Sequence, residues 1–197
     1  MAHGWGRELT KLGPEWRADE DGVPRREGAR IVLFDRQGRV LLIRGHDAHD
    51  PTSTWWFTVG GGLAPGETPR VGAARELLEE TGISLDPNQL VGPVLYREAE
   101  FVFLSVRARQ DEFFYLAGYE GDPDAVTTDG FTDVERQTLD ELKWFTVSQV
   151  EELSRNERIY PRVLPELIAK WAGGWDGEMV NIADVTFADP DASDDEA

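Results

Sequence analysis

Apolar positions along the chain come in short blocks, and the spacing inside each block says which element it builds. ARIVLFD at 29–35 and RVLLIRG at 39–45 are strand-like runs joined through RQGR, a hairpin signal. WWFTV at 55–59 is a short aromatic strand that delivers the chain into three consecutive glycines, Gly60, Gly61 and Gly62. VLYREAEFVFLSV at 94–106 and DEFFYLAGY at 111–119 read as two more strands with RARQ as their turn, and LKWFTV at 142–147 as another. Between the second and third groups of strands the period changes. In PRVGAARELLEET, Thr68 is a suitable N-cap, Pro69 fits the first helical position and Gly82 is the stop, so a helix over Pro69–Thr81 is predicted. A second helix begins in TVSQVEEL, where Thr146 with Gln149, or Ser148 with Glu151, can form a capping box. A third is PRVLPELIAKWAGG, from Pro161 to Gly173. Strands and helices in this order predict an α/β fold, a mixed β-sheet sandwiched between α-helices.

The same pattern divides the chain. Residues 1–28 are polar and glycine-rich and read as an N-terminal arm, extended or a short helix; 29–174 form the domain; 175–197 form an acidic C-terminal tail. No apolar run approaches the roughly 18 residues of a membrane span, and the first residues, MAHGWGRELTK, lack a signal peptide's apolar stretch. A cytoplasmic location is the simplest expectation. The chain has no cysteine, which excludes disulfides, a thiolate nucleophile and a cysteine zinc site.

The first helix carries the chemistry. At about 100° per residue, Val71, Ala74, Leu77 and Leu78 share one side and are expected to pack on the sheet. Glu76, Glu79 and Glu80 fall together on the other side, three and four residues apart, where like charges repel. A solvated acidic face is the ordinary reading of such a cluster. Here the carboxylates follow a glycine loop whose backbone can approach a ligand closely, and a hard divalent cation, Mg²⁺ or Mn²⁺, would relieve the repulsion.

The spacing resembles a family signature. Gly61, five residues, Glu67, seven residues and then Arg75-Glu76-Leu77-Leu78-Glu79-Glu80-Thr81-Gly82-Ile83 is similar to the Nudix box of MutT-like hydrolases at every specified position. The resemblance implies the Nudix fold over about 29–173. It also implies metal-dependent cleavage of the diphosphate linkage in a nucleoside diphosphate joined to another group. By the same resemblance Glu76, Glu79 and Glu80 are metal ligands and catalytic groups, the Gly61 carbonyl contributes, Glu67 supports the site, and Arg75 orients a glutamate. Arg75 stands four residues before Glu79, the right place for an ion pair. The general base stays open. Glu112 is the candidate for a further acidic contribution to the metal site, with Glu98 and Glu100 as competitors.

Two positions depart from the common pattern: Val59 stands where many members have proline, and Ala64 where many have glutamate. Neither is a fixed box position. Markers outside the box point away from several substrates. No proline lies near Glu98 to Glu100 as in ADP-ribose pyrophosphatases, Tyr96 is off register for dinucleoside polyphosphate hydrolases, and the NADH-type SQPWPxS array is absent. A nucleoside triphosphate or modified nucleotide is left as the expected substrate. An ADP-ribose or nucleotide-sugar pyrophosphatase and a non-catalytic nucleotide sensor are the alternatives.

Charge narrows the partners. With 38 acidic and 20 basic residues the net charge is −18, the wrong sign for a binder of long nucleic acids, so an RNA 5′-end substrate is disfavoured. A homodimer is left open. Arg30 and Arg44, on the early strands, are candidates to meet phosphate, and Trp55 or Trp56 could stack a base, with Trp56 the expected one. His46 and His49 lie in the polar loop GHDAHDPTST, which could close over the glycines.

Overall fold

The computed structural model describes residues 12–47, 50–103, 106–128, 130–131 and 135–186. Among them, ten strands join into one mixed sheet. The short β1 (Arg17–Ala18) pairs with β2 (Pro24–Asp35), the spine of the sheet. β2 turns through Gly38 into antiparallel β3 (Val40–His46), which continues to β4 (Thr54–Phe57). β5 (Val59–Gly62) returns along β2 and leads into α1 (Pro69–Thr81). β6 (Val91–Phe103) and β7 (Val106–Tyr119) form a long antiparallel pair, and β7 lies parallel to β2. After the single turn α2 (Glu135–Thr138) come β8 (Leu139–Phe145) beside β3, α3 (Val147–Asn156), the short β9 (Arg158–Ile159) and α4 (Leu164–Trp171). β10 (Val180–Thr186) closes the sheet, parallel to β6.

Alternation along β2 makes the layers. Ile31 and Leu33 face Ala73, Leu77 and the rest of α1, whereas Val32 on the other face meets Val150 of α3 and Leu164 and Ile168 of α4. The sheet is therefore covered on both faces, as the order of elements predicts.

α1 spans the predicted residues, and Gly82 adopts φ 72°, the left-handed stop. The Thr68 side chain makes no cap bond, so Pro69 alone carries the start. The buried side of α1 is also rotated from the expected one. Ala74 and Leu77 are buried, but Val71 and Leu78 are about half exposed at 46% and 48%, and Glu76 and Glu80 are turned inward instead. The helix is oriented by what its glutamates meet on β5, not by the apolar count of its sides. Leu77→Ala is thus expected to lower stability by about 2–5 kcal/mol, and Leu78→Ala by no more than about 0.5 kcal/mol. Urea unfolding of the two variants checks this, and equal losses would refute the orientation.

Three other expectations change. RARQ is not a turn: Ala108 and Gln110 point inward, and Arg109 is held at the surface by Asp19, Asp21 and Glu100, so the run lies within β7. Its charge imitated a loop. The arm ends earlier than residue 28, because β2 begins at Pro24 and Trp16 packs on Ala108. The tail starts later than 175, because Val180 and Ile182 alternate into the core as β10. At α3, Thr146 and Gln149 form the capping box, with bonds of 2.9 and 3.2 Å.

Candidate active site

At two of the three glycines of β5, Gly60 and Gly61, nothing larger fits without a shift. Its register on β2 sets Gly60 opposite Arg30, Gly61 opposite Ala29 and Gly62 opposite Gly28. Gly60 has φ 135°, and a Cβ there would collide with the Ala29 carbonyl. A Cβ on Gly61 would sit 2.7 Å from a Glu76 carboxylate oxygen. Absence of that one atom lets the Glu76 carboxylate lie against the strand.

The helix glutamates use this space unequally. Glu80 is 3% exposed, and its Oε2 accepts the Gly60 N–H at 2.7 Å. Glu76 is likewise buried, while the Glu79 side chain is about half exposed. Buried carboxylates are costly unless paired, and Arg75 supplies the pairing. Its Nη1 donates to Glu76 at 2.7 Å and to Glu79 at 3.0 Å. Its Nε and Nη2 form a two-point fork on Glu67 at 3.0 and 2.9 Å, and Nη2 also reaches the Gly62 carbonyl at 3.0 Å. The guanidinium holds the Glu67 carboxyl below the usual range, and Glu67 in turn accepts the Ala64 N–H at 2.9 Å. Arg75 therefore links the loop, the strand and the helix.

With the guanidinium between them, no three acidic or histidine side chains converge on one point among the described residues. The donor set is nevertheless right for a hard cation. Glu76, Glu79 and Glu80 offer carboxylate oxygens on one stretch of helix, with Gly61 of the strand directly beside Glu76.

Residues expected around this centre have other settings. Glu112 is neither at a turn nor aimed at the helix. It lies mid-strand on β7, level with Gly28 and 1% exposed, and accepts from Arg30, from Gln110 at 2.8 Å and from Arg97 at 2.6 Å. Burial works to raise its pKa, but the Arg30 and Arg97 guanidiniums outweigh that and hold it at about 2. With both oxygens engaged, Glu112 leaves the metal set. Arg30 is consumed in the same network: beyond Glu112, its Nη1 donates to the Thr58 and Gly60 carbonyls at 3.0 and 3.1 Å. Through Nε and Nη1 it braces the glycine strand.

Trp56 is core, 3% exposed, edge-on to Phe145 at 4.9 Å, with its indole N–H on Glu157 at 2.8 Å. It does not stack a base. Trp55, on the opposite face of β4, meets Tyr160 edge-on. Arg44 is level with Trp56; its buried Nε makes no hydrogen bond but lies 3.7 Å from the Glu157 carboxylate, and its Nη2 reaches Thr54 Oγ1 at 3.4 Å, so it already faces an anion. His46 pairs with Asp140 at 2.8 Å, and His49 lies outside the described residues. Of the competitors to Glu112, Glu98 is exposed near Arg25, and Glu100 is bound by Arg107 and Arg109. Sequence reading missed Gln110, Arg97 and Asp184. The available signal was polar residues at inward positions of an alternating strand.

Comparison with known proteins agrees with the fold. A family model described as the NUDIX domain matches residues 24–167. An RNA pyrophosphohydrolase of Erythrobacter litoralis is 30% identical over 146 residues, covering 70% of this chain and 84% of its own length. Another, of Gluconobacter oxydans, is 30% identical over 166 residues, covering 75% and 88%. Among solved structures, a MutT protein from Methanosarcina mazei Go1 superposes with a TM-score of 0.52 at 19% identity, covering 75% of this chain and 93% of that one. At that identity the likeness speaks for the fold.

Proposed function

Because the chain belongs to the NUDIX family of pyrophosphohydrolases, we propose that Glu76, Glu79, Glu80 and the Gly61 carbonyl hold Mg²⁺ or Mn²⁺ for hydrolysis of a nucleotide's diphosphate linkage. The observation that carries this reading is the burial of Glu76 and Glu80 against the three glycines of β5, with Glu79 beside them. A divalent cation bound there would polarise phosphoryl oxygens and make hydroxide available at neutral pH. Arg75 orients Glu76 and Glu79 and keeps Glu67 ionised. Arg44, whose Nε lies 3.7 Å from the Glu157 carboxylate, stays the arginine proposed to meet phosphate. The proposal places the enzyme in the cytoplasm; no described helix is long and apolar enough to cross a membrane.

Nucleoside triphosphates, including modified ones, are the substrates proposed. A second reading, the 5′ end of RNA, is favoured by the names of the two relatives above. The net charge of −18 argues against it, since RNA phosphates would be repelled beyond the metal site. A panel of nucleotides and a 5′-triphosphorylated oligonucleotide, scored for released phosphate or pyrophosphate, separates the two. Higher kcat/KM on the oligonucleotide would favour RNA.

Chelation should abolish turnover on every substrate in the panel, and readded Mg²⁺ or Mn²⁺ should restore it. The metal-free chain should stay folded, because Arg75 already pairs with Glu67, Glu76 and Glu79 and eases their repulsion. Circular dichroism checks the second point, and full turnover after exhaustive chelation would refute the first.

A further inference from the structure

Beyond Val59, whose side chain is in the core, the glycines of β5 have no side chains to fix them, yet β5 must hold Glu76 and Glu80 in place. What fixes it enters from the far side of the sheet. β10 lies beyond residue 167, where the family match ends, and sets Ile182 level with Arg97 and Asp184 level with Ala99 on β6. Asp184 Oδ2 accepts from Arg97 Nε at 3.0 Å and from its Nη2 at 2.8 Å. Arg97 Nη1 donates to Glu112 Oε2 at 2.6 Å, and Glu112 Oε1 accepts from Arg30 Nε. Arg30 Nη1 ends the series on the carbonyls of Thr58 and Gly60, either side of Val59. The Gly60 N–H is the group that Glu80 accepts.

We propose that Asp184 is a positioning residue for the hydrolysis, acting through Arg97, Glu112 and Arg30 to fix the glycine strand under Glu80. The proposal rests on the reading of Glu76 and Glu80 as the catalytic centre. Its physical basis is alternation of charge: Asp184, Arg97, Glu112 and Arg30 are negative, positive, negative and positive in turn. All four side chains are at least four-fifths buried, so solvent screens them weakly. Arg97 is shared between two carboxylates and Glu112 between two guanidiniums. Removing the terminal charge leaves Arg97 to draw on Glu112 alone, which loosens the grip of Glu112 on Arg30 and of Arg30 on the two carbonyls. The planar forks of arginine transmit this as a change of orientation as well as of charge.

Asp184→Asn in the full chain is the test. Its kcat should fall about tenfold, the scale seen when a group supporting a metal ligand is lost, with KM within about twofold. Amide hydrogen exchange in β5 should quicken while α3 and α4 stay protected, and Asp184→Glu should recover most of the loss. Ile182→Ala is the comparison: it weakens the packing of β10 but leaves the charges, so it should lower Tm without changing kcat or exchange in β5. Unchanged kcat and exchange in Asp184→Asn would overturn the proposal, as would an equal loss in Ile182→Ala. Should the wild-type chain turn over nothing in the nucleotide panel, the functional reading fails. Exchange in β5 then decides whether Asp184 fixes the glycine strand: quickening upholds that half of the proposal, and no change overturns it.

Discussion

Glu80→Gln should lose two or more orders of magnitude in kcat, roughly the scale of removing a strong electrostatic contribution at a reacting centre, and should not unfold. Both halves follow from where the side chain lies. The glutamine carbonyl can still accept the Gly60 N–H that Glu80 accepts at 2.7 Å, so helix and strand stay joined. What disappears is one negative charge beside a second buried carboxylate, Glu76. In the metal-free chain that removes repulsion, so stability should hold or rise, an instance of an active site held at some cost to the fold. Divalent-cation affinity should drop with the rate, because a carboxylate ligand has become a neutral amide. Calorimetric titration with Mg²⁺, kinetics and thermal unfolding on one variant read all three quantities. Wild-type turnover in Glu80→Gln would remove Glu80 from the catalytic centre. A large fall in Tm with normal metal binding would make it a structural residue instead.

The legible part of this molecule is the part fixed by local backbone chemistry. Pro69 and Gly82 bound α1 where expected, because a residue without an N–H and a residue tolerant of positive φ act within one turn. The three glycines and the box glutamates were legible for a related reason: their spacing along one loop and one helix already carries the geometry. Orientation of the helix was not legible. A wheel ranks sides by hydropathy, and Val71 and Leu78 outweigh Ala73 on that scale; the structure buries Ala73, Glu76 and Glu80 because β5 offers space and an N–H donor there. Trp55 and Trp56 could not be told apart, since alternation says that their faces differ but not which face is the core. Glu112 was misread for a longer-range reason. Its partners Arg30 and Arg97 are 82 and 15 residues away, and only the sheet brings the three together.

Glu112 is accordingly expected to matter most for stability. Glu112→Ala leaves Arg30 and Arg97 buried and close with no carboxylate between them, and breaking such a pair costs about 3–5 kcal/mol. Glu112→Gln, which can still accept one or two of the bonds, should lose less. The acid dependence gives a sharper test. The folded protein holds Glu112 at about 2, against an ordinary value of 4.5, so the folded state prefers the ionised form. Its contribution is therefore fully present above pH 4.5 and is lost as pH falls towards 2. At about 1.4 kcal/mol per pKa unit, this is on the order of 3 kcal/mol, in line with the cost of breaking the pair. Urea unfolding of wild type and Glu112→Gln at pH 7 and again at pH 3 should show the gap between them narrowing in acid. Other carboxylates titrate over the same range in both proteins, so their effects cancel in the difference. A gap that stays constant between the two pH values would mean that Glu112 is held neutral by burial. The two arginines would then have to be balanced by Asp184 and their remaining partners, and the brace on the glycine strand would owe nothing to its charge.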